Sequence, residues 1–208
     1  MAFLDDLIIG LDRALKTVAA EPVAQRTNPG VSVEDSPMED AERAHAAGLM
    51  RVNHTGEICA QGLYEGQALT AKDGETRQAL LNAAQEETDH LAWCQERLSE
   101  LDSKPSVLNP LFYAASYAMG AVTGLLGDRV SLGFVEATED QVCKHLESHM
   151  DSLPEQDEKS RAIITQMHAD EARHGAEAMA KGGAEFPGPV KNLMTVVSKV
   201  MTETTYRI

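Results

Sequence analysis

The sequence predicts an all-α protein organised around a four-helix bundle. Three observations predict it. Residue usage is rich in Ala, Leu, Met, Glu and Gln with few β-branched runs; apolar residues recur at helical spacing; and one pattern of glutamates and histidines occurs twice along the chain. Such residues lose little rotamer freedom in a helix. With 208 residues, 43% of them apolar, the chain has material for one globular domain with a small appendage, and its composition is not that of a disordered protein.

The elements follow in order. In residues 2–20, Phe3, Leu4, Leu7, Ile8, Leu11 and Leu15 share one face, with Asp5, Asp6, Asp12, Arg13 and Lys16 opposite. This is a short amphipathic helix that either packs on the body or rests on a membrane. Residues 21–37 are polar with Pro and Gly, so they read as a linker. The first long helix covers about 38–72 and breaks at Lys72-Asp73-Gly74. A second covers about 75–102 and ends before Pro105; a third runs from Asp128 to before Pro154; a fourth covers 155–181 and stops at Gly182-Gly183. The tail, 187–203, carries Val190, Leu193, Met194, Val197 and Met201 at helical spacing. The organisation expected is an N-terminal amphipathic helix and linker, 1–37, followed by the bundle with its C-terminal helix, 38–208.

Between the second and third long helices, Leu111–Gly127 has 17 residues without a charge. That is at the short limit for spanning a bilayer. The segment reads as a crossover hydrophobic hairpin packed on the bundle, or as one partly immersed in a membrane surface.

Composition excludes several functions. Lys and Arg number 18 against 33 Asp and Glu, a formal charge of -15, which repels phosphate backbones, so no nucleic-acid partner is expected. Cys59, Cys94 and Cys143 lie far apart, which excludes a disulfide framework and a thiolate zinc site. The N-terminus has no basic n-region, so no secretory signal is expected.

The chemistry lies in Glu87-Thr88-Asp89-His90 and Glu171-Ala172-Arg173-His174. Positions i and i+3 sit roughly 60° apart on a helix, so both side chains of each pair can reach one metal ion. A lone glutamate precedes each pair: Glu57 by 30 residues and Glu139 by 32. Two antiparallel helix pairs joined by a crossover would bring the six residues to one level, the carboxylate-bridged di-metal plan of ferritin-like bundles. Two divalent ions would balance the four carboxylates, which are costly to bury as bare anions. Mixed carboxylate and imidazole ligation suits iron or manganese more than zinc.

Asp89, Asp170 and His54 are placed to orient ligands by hydrogen bonding. Tyr64, seven after Glu57, is placed near the site. Cys94 and Cys143 read as small core residues. His145 is rotated about 120° from Glu139, off the ligand face.

The stretches Arg51-Val52-Asn53-His54-Thr55-Gly56-Glu57, Glu86 to Trp93, Glu136 to His145 and Asp170 to Gly175 together resemble the demethoxyubiquinone hydroxylase family. The resemblance covers about 38–182. It implies a di-iron monooxygenase of ubiquinone biosynthesis that uses O2 to hydroxylate the ring of a polyprenylated methoxy-methyl-benzoquinol. It also implies Glu57, Glu87, His90, Glu139, Glu171 and His174 as ligands of two iron ions. Two adjacent ferrous ions can supply two electrons to O2. A polyprenyl tail further implies a peripheral position on the cytoplasmic side of the cell membrane, reached through Leu111–Gly127 and the tail helix. A partner protein of the same pathway and self-association are the remaining expectations. The rival readings are a ferritin-like iron-binding or peroxide-reducing bundle without quinol hydroxylase activity, and a purely structural helical module. The last leaves the duplicated pattern unexplained.

Overall fold

The computed structural model describes residues 2–34 and 36–208, with side chains from residue 8 onward. The apolar positions Phe3, Leu4 and Leu7 of the N-terminal helix therefore lie outside the described side chains. The described residues form α-helices α1 (Ala2–Ala19), α2 (Asp40–Thr70), α3 (Gly74–Glu100), α4 (Asn109–Leu125), α5 (Asp128–Ser152), α6 (Glu158–Ala180) and α7 (Gly188–Thr205), a short 3-10 turn at Pro29–Ser32, and no strand.

Local chemistry sets the helix ends. The Asp73 carboxylate accepts the Thr76 N–H at 2.8 Å, and the Asp157 carboxylate accepts the Ser160 N–H at 3.0 Å. Each satisfies a donor that the first turn leaves orphaned. The fourth bundle helix starts at Glu158, later than its composition suggests, because Asp157 caps it there. Gly127 joins α4 to α5 at φ 114, a conformation in which a side chain would clash.

Two apolar layers fill the bundle of α2, α3, α5 and α6. One contains Met50 of α2, Trp93 and Leu98 of α3, Leu146 of α5 and Ile164 of α6. The other contains Tyr64, Leu80, Leu132 and Ala178 from the same four helices in turn. Along α2 and α6 the first layer precedes the second; along α3 and α5 the order reverses. The helices of each pair, α2–α3 and α5–α6, are therefore antiparallel, whereas α3 and α5 run parallel. A parallel connection needs a chain long enough to return along the bundle, and α4 is that chain.

The crossover segment is one continuous helix, not a hairpin. Pro110 sits in its first turn, where its missing N–H costs nothing. Its glycines do not break the helix but admit a neighbour. Gly62 and Gly66 of α2 meet the backbone of Tyr113, Tyr117 and Ala121 of α4, and Gly120 and Gly124 of α4 meet Leu63, Gln67 and Thr70 of α2. A methyl group on Gly66 would overlap the Tyr117 carbonyl oxygen, and one on Gly120 the Leu63 carbonyl oxygen. The inner side of α4 is thereby fixed to α2. Its outer side leaves Leu111, Val122 and Leu125 exposed, and the adjacent α1 likewise exposes Ile8, Leu11 and Leu15.

The segment read as a linker lies against the bundle. Asn28 donates to Glu96 at 2.6 Å, and buried Gly30 packs against α6. At the other end, the guanidinium of Arg97, 1% exposed, reaches Asp157 at 2.8 Å and Ser160 at 3.0 Å, tying α3 to the start of α6.

The α2–α4 seam has no room for a side chain, so Gly66→Ala and Gly120→Ala are each expected to destabilise the protein by about 3 kcal/mol. Urea unfolding of the two variants beside the parent measures this. Wild-type midpoints would show that the helices can separate at no cost.

Candidate metal centre

Between the two apolar layers, all four bundle helices turn acidic or imidazole side chains inward. Glu57 (α2), Glu87 and His90 (α3), Glu139 (α5), and Glu171 and His174 (α6) are all buried. The one-turn spacing of each Glu–His pair puts both members on the same inward face. Two groups have ligand atoms within 4.8 Å of one another: Glu57, Glu87, His90 and Glu171; and Glu139, Glu171 and His174. The structure thus brings together all six residues singled out in the sequence.

The arrangement is nearly two-fold. His90 Nδ1 lies 3.0 Å from Glu87 and 3.0 Å from Glu171. His174 Nδ1 lies 3.2 Å from each of the same two glutamates. Glu87 and Glu171 therefore stand between the histidines. Glu57 lies beside His90 alone, at 3.5 Å, and Glu139 accepts the Tyr64 hydroxyl.

The far nitrogen of each histidine bonds across the bundle. His90 Nε2 of α3 donates to Asp170 of α6 at 3.0 Å, and His174 Nε2 of α6 faces Glu86 of α3 at 3.3 Å. Each acid sits one residue before the glutamate of its own helix, so one spacing serves both. These bonds place the ring proton on Nε2 and leave Nδ1 to face the centre. Glu86 was not singled out in the sequence, although its offset matches that of Asp170.

Arg26, also missed, comes from the N-terminal connector. It donates to Asp89 at 2.6 Å and to Asp170 at 2.7 Å, and lies 4.9 Å from the centre of the Trp93 ring. Asp89 thus anchors the connector, accepting the Gln25 N–H at 2.6 Å as well, rather than orienting a histidine. His54 does not orient a ligand either: its Nδ1 accepts from Asn109 of α4 at 3.1 Å. Burial pushes the His54 imidazole down to about 4, so it is neutral at ordinary pH. Cys94 is buried beside Met167, whereas Cys143 is only half-buried.

The electrostatics are those of a cation site. Burial, with repulsion from Glu171 and Glu87, raises Glu139 well above the carboxylate range, and burial does the same to Glu57. Burial opposes charge on the imidazoles, yet Glu87 and its neighbours raise His90 well above its ordinary value, and Glu171 and Glu87 raise His174 to about 11. Burial also opposes charge on Glu87, but the facing imidazoles hold it low. Glu139 Oε2 accepts no hydrogen bond, and Glu87 Oε1 and Glu171 Oε1 face the ring nitrogens of His174 and His90. Buried acceptors without donors are costly unless a cation meets them. Four carboxylates and two imidazoles fit two divalent ions in number, charge and donor type.

Metal binding must therefore displace protons from Glu57, Glu139, His90 and His174. Their folded values are raised, so protons occupy the site increasingly as pH falls, and affinity falls with them. Anaerobic titration of metal-free protein with ferrous or manganous ion is expected to release protons and to weaken between pH 8 and pH 6. Asp170→Asn and Glu86→Gln are each expected to lower affinity about 10- to 100-fold by freeing a histidine ring. Unchanged affinity across pH and in both variants would contradict this account.

The model of the ubiquinone biosynthesis protein COQ7 family matches residues 44–205. A 3-demethoxyubiquinol 3-hydroxylase of Marinomonas sp. is 56% identical over 100% of both chains. Proteins of that name from Chromohalobacter salexigens and Ectopseudomonas mendocina are 57% and 56% identical, over 98% and 99% of this chain and 96% of theirs. A buried, duplicated Glu–His cluster in an all-helical bundle and this similarity along the full length agree: the chain belongs to the COQ7 family of ubiquinone biosynthesis proteins.

Proposed function

We propose that this chain is a 3-demethoxyubiquinol 3-hydroxylase, a monooxygenase that uses O2 and two iron ions to hydroxylate the ring of a polyprenylated methoxy-methyl-benzoquinol. The observation that carries the metal part is the symmetrical placing of Glu87 and Glu171 between two cross-bonded histidines. The family and the relatives' shared name supply the substrate class.

When bound, two iron ions would supply electrons to O2, which reacts slowly with closed-shell molecules. The chain's own residues hold and shield that pair. Glu57, Glu87, His90, Glu139, Glu171 and His174 would hold the ions, with Glu87 and Glu171 each within reach of both histidines. Asp170 and Glu86 hold the Nε2 protons, keeping Nδ1 free as the donor atom. The Tyr64 hydroxyl occupies one oxygen of Glu139 and leaves Oε2 for the metal. The apolar layers above and below keep bulk water from the cluster.

The substrate lives in a membrane, yet among the described residues no helix is long and apolar enough to cross one. The reading is peripheral attachment through the adjoining outer faces of α1 and α4, where Ile8, Leu11, Leu111 and Leu125 are exposed. A formal charge of -15 gives no attraction to anionic lipid, so attachment rests on apolar insertion.

A strain lacking the gene is expected to accumulate the demethoxy quinone, and the parental gene to restore ubiquinone where Glu171→Ala does not. Accumulation of a different precursor would sink the assignment. Purified protein is expected to float with lipid vesicles at low and high salt alike, and Leu11→Glu with Leu125→Glu to abolish flotation. Release of the parental protein by moderate salt would refute the apolar mode.

A further inference from the structure

A cavity of about 440 Å³ lies beneath α1. Its roof includes Thr17 and Ala20, and its floor includes Gln61 of α2 and Ala84 and Thr88 of α3. A second cavity of about 100 Å³ shares Arg13, Glu65 and Leu81 with the first and reaches Ile9 and Tyr117. The two are thus neighbours with a shared wall, set in a line under α1 from the edge of the exposed α1–α4 apolar surface toward the bundle interior.

The inner end stops one step from the cluster. Gln61 follows Glu57 by one helical turn, and Thr88 adjoins Glu87. None of the six cluster residues lines either cavity; the Gln61 side chain stands between. Its carbonyl accepts the Thr17 hydroxyl of α1, and its amide donates to the Thr88 hydroxyl of α3 at 3.2 Å. Gln61, 3% exposed, therefore closes the floor and clasps the roof to it. On the shared wall, Glu65 accepts the Tyr113 hydroxyl at 2.7 Å, with the positive charge of Arg13 acting on it.

We propose that the two cavities are the route by which the quinol reaches the metal centre. The ring occupies the larger cavity, the polyprenyl tail trails through the smaller one toward the apolar surface, and Gln61 is the gate. The inference rests on the quinol reading above. The larger volume suits a substituted ring with the first part of its tail, and its lining sets Val23, Leu81 and Leu91 beside amide and hydroxyl groups and the charged Arg13, Lys16, Glu21 and Glu65. A quinol hydroxyl both donates and accepts, so it can replace Thr17 or Thr88 as the partner of Gln61. The gate then swings without leaving a buried amide unsatisfied.

Ala20 and Gln85 are exposed on opposite walls of the larger cavity, away from the core. In Ala20→Trp and Gln85→Trp an indole fills the passage. For each, kcat/KM on a short-tailed demethoxyubiquinol is expected to fall about a hundredfold through misplaced or excluded substrate, with metal content and thermal midpoint unchanged. Parental kcat/KM in both variants would overturn the route. Photolabelling of the parental protein with an azido-quinone gives an answer independent of variant folding. Adducts within 13–23 and 81–91 support the route; adducts confined to α5, α6 or α7 overturn it. Failure of the parental protein to hydroxylate the quinol would instead remove the functional reading, while the photolabel still reports whether the cavity admits a quinone ring.

Discussion

Four carboxylates lie in the middle of this bundle, sealed by an apolar layer on either side. Without positive charge among them such a grouping would repel itself and forfeit its hydration. Metal-free, the chain meets the demand with protons, taken up by Glu57, Glu139 and both histidines. Two divalent ions would meet it more fully. The helix order, the crossover and the tight cross-bundle bonds follow from having to deliver these groups to one level from opposite directions.

The histidines show how the delivery is made rigid. Each imidazole comes from one helix and is held by an acid on another, so α3 and α6 fix one another's ligands. Arg26 extends the arrangement outward. It pairs with Asp89 and Asp170 at once and covers the face of Trp93. Residues 1–43 fall outside the stretch matched by the family model, yet the connector they include supports a histidine of the centre. The N-terminal arm is thus built into the site rather than appended to it.

Much of this was legible in the residues. The duplicated Glu–His spacing marks all six cluster positions, because helical periodicity converts i, i+3 directly into a shared face. Glu86 was equally legible in principle, since its offset repeats that of Asp170. Arg26 was not: a single arginine in a Pro- and Gly-containing connector carries no periodic signal, and only tertiary packing brings it to Asp170. His54 misled for a geometric reason. Three residues before Glu57, it is rotated to one side of the ligand face, and that side meets Asn109 of α4. Leu111–Gly127 read as a hairpin, whereas it is one helix in which Gly120 and Gly124, at i, i+4 spacing, make a flat side for another backbone. Local sequence cannot tell these uses apart without the partner helix.

The glycine contact between α2 and α4 also bears on mechanics. Where Gly66 and Gly120 bring backbone against backbone, little can deform, and the two helices move as one body, for close-packed interiors transmit strain. A load from lipid on the outward side of α4 would pass undamped into the helix that carries Glu57 and Gln61. In the attachment proposed above, the depth at which the protein sits would set the geometry of its own interior.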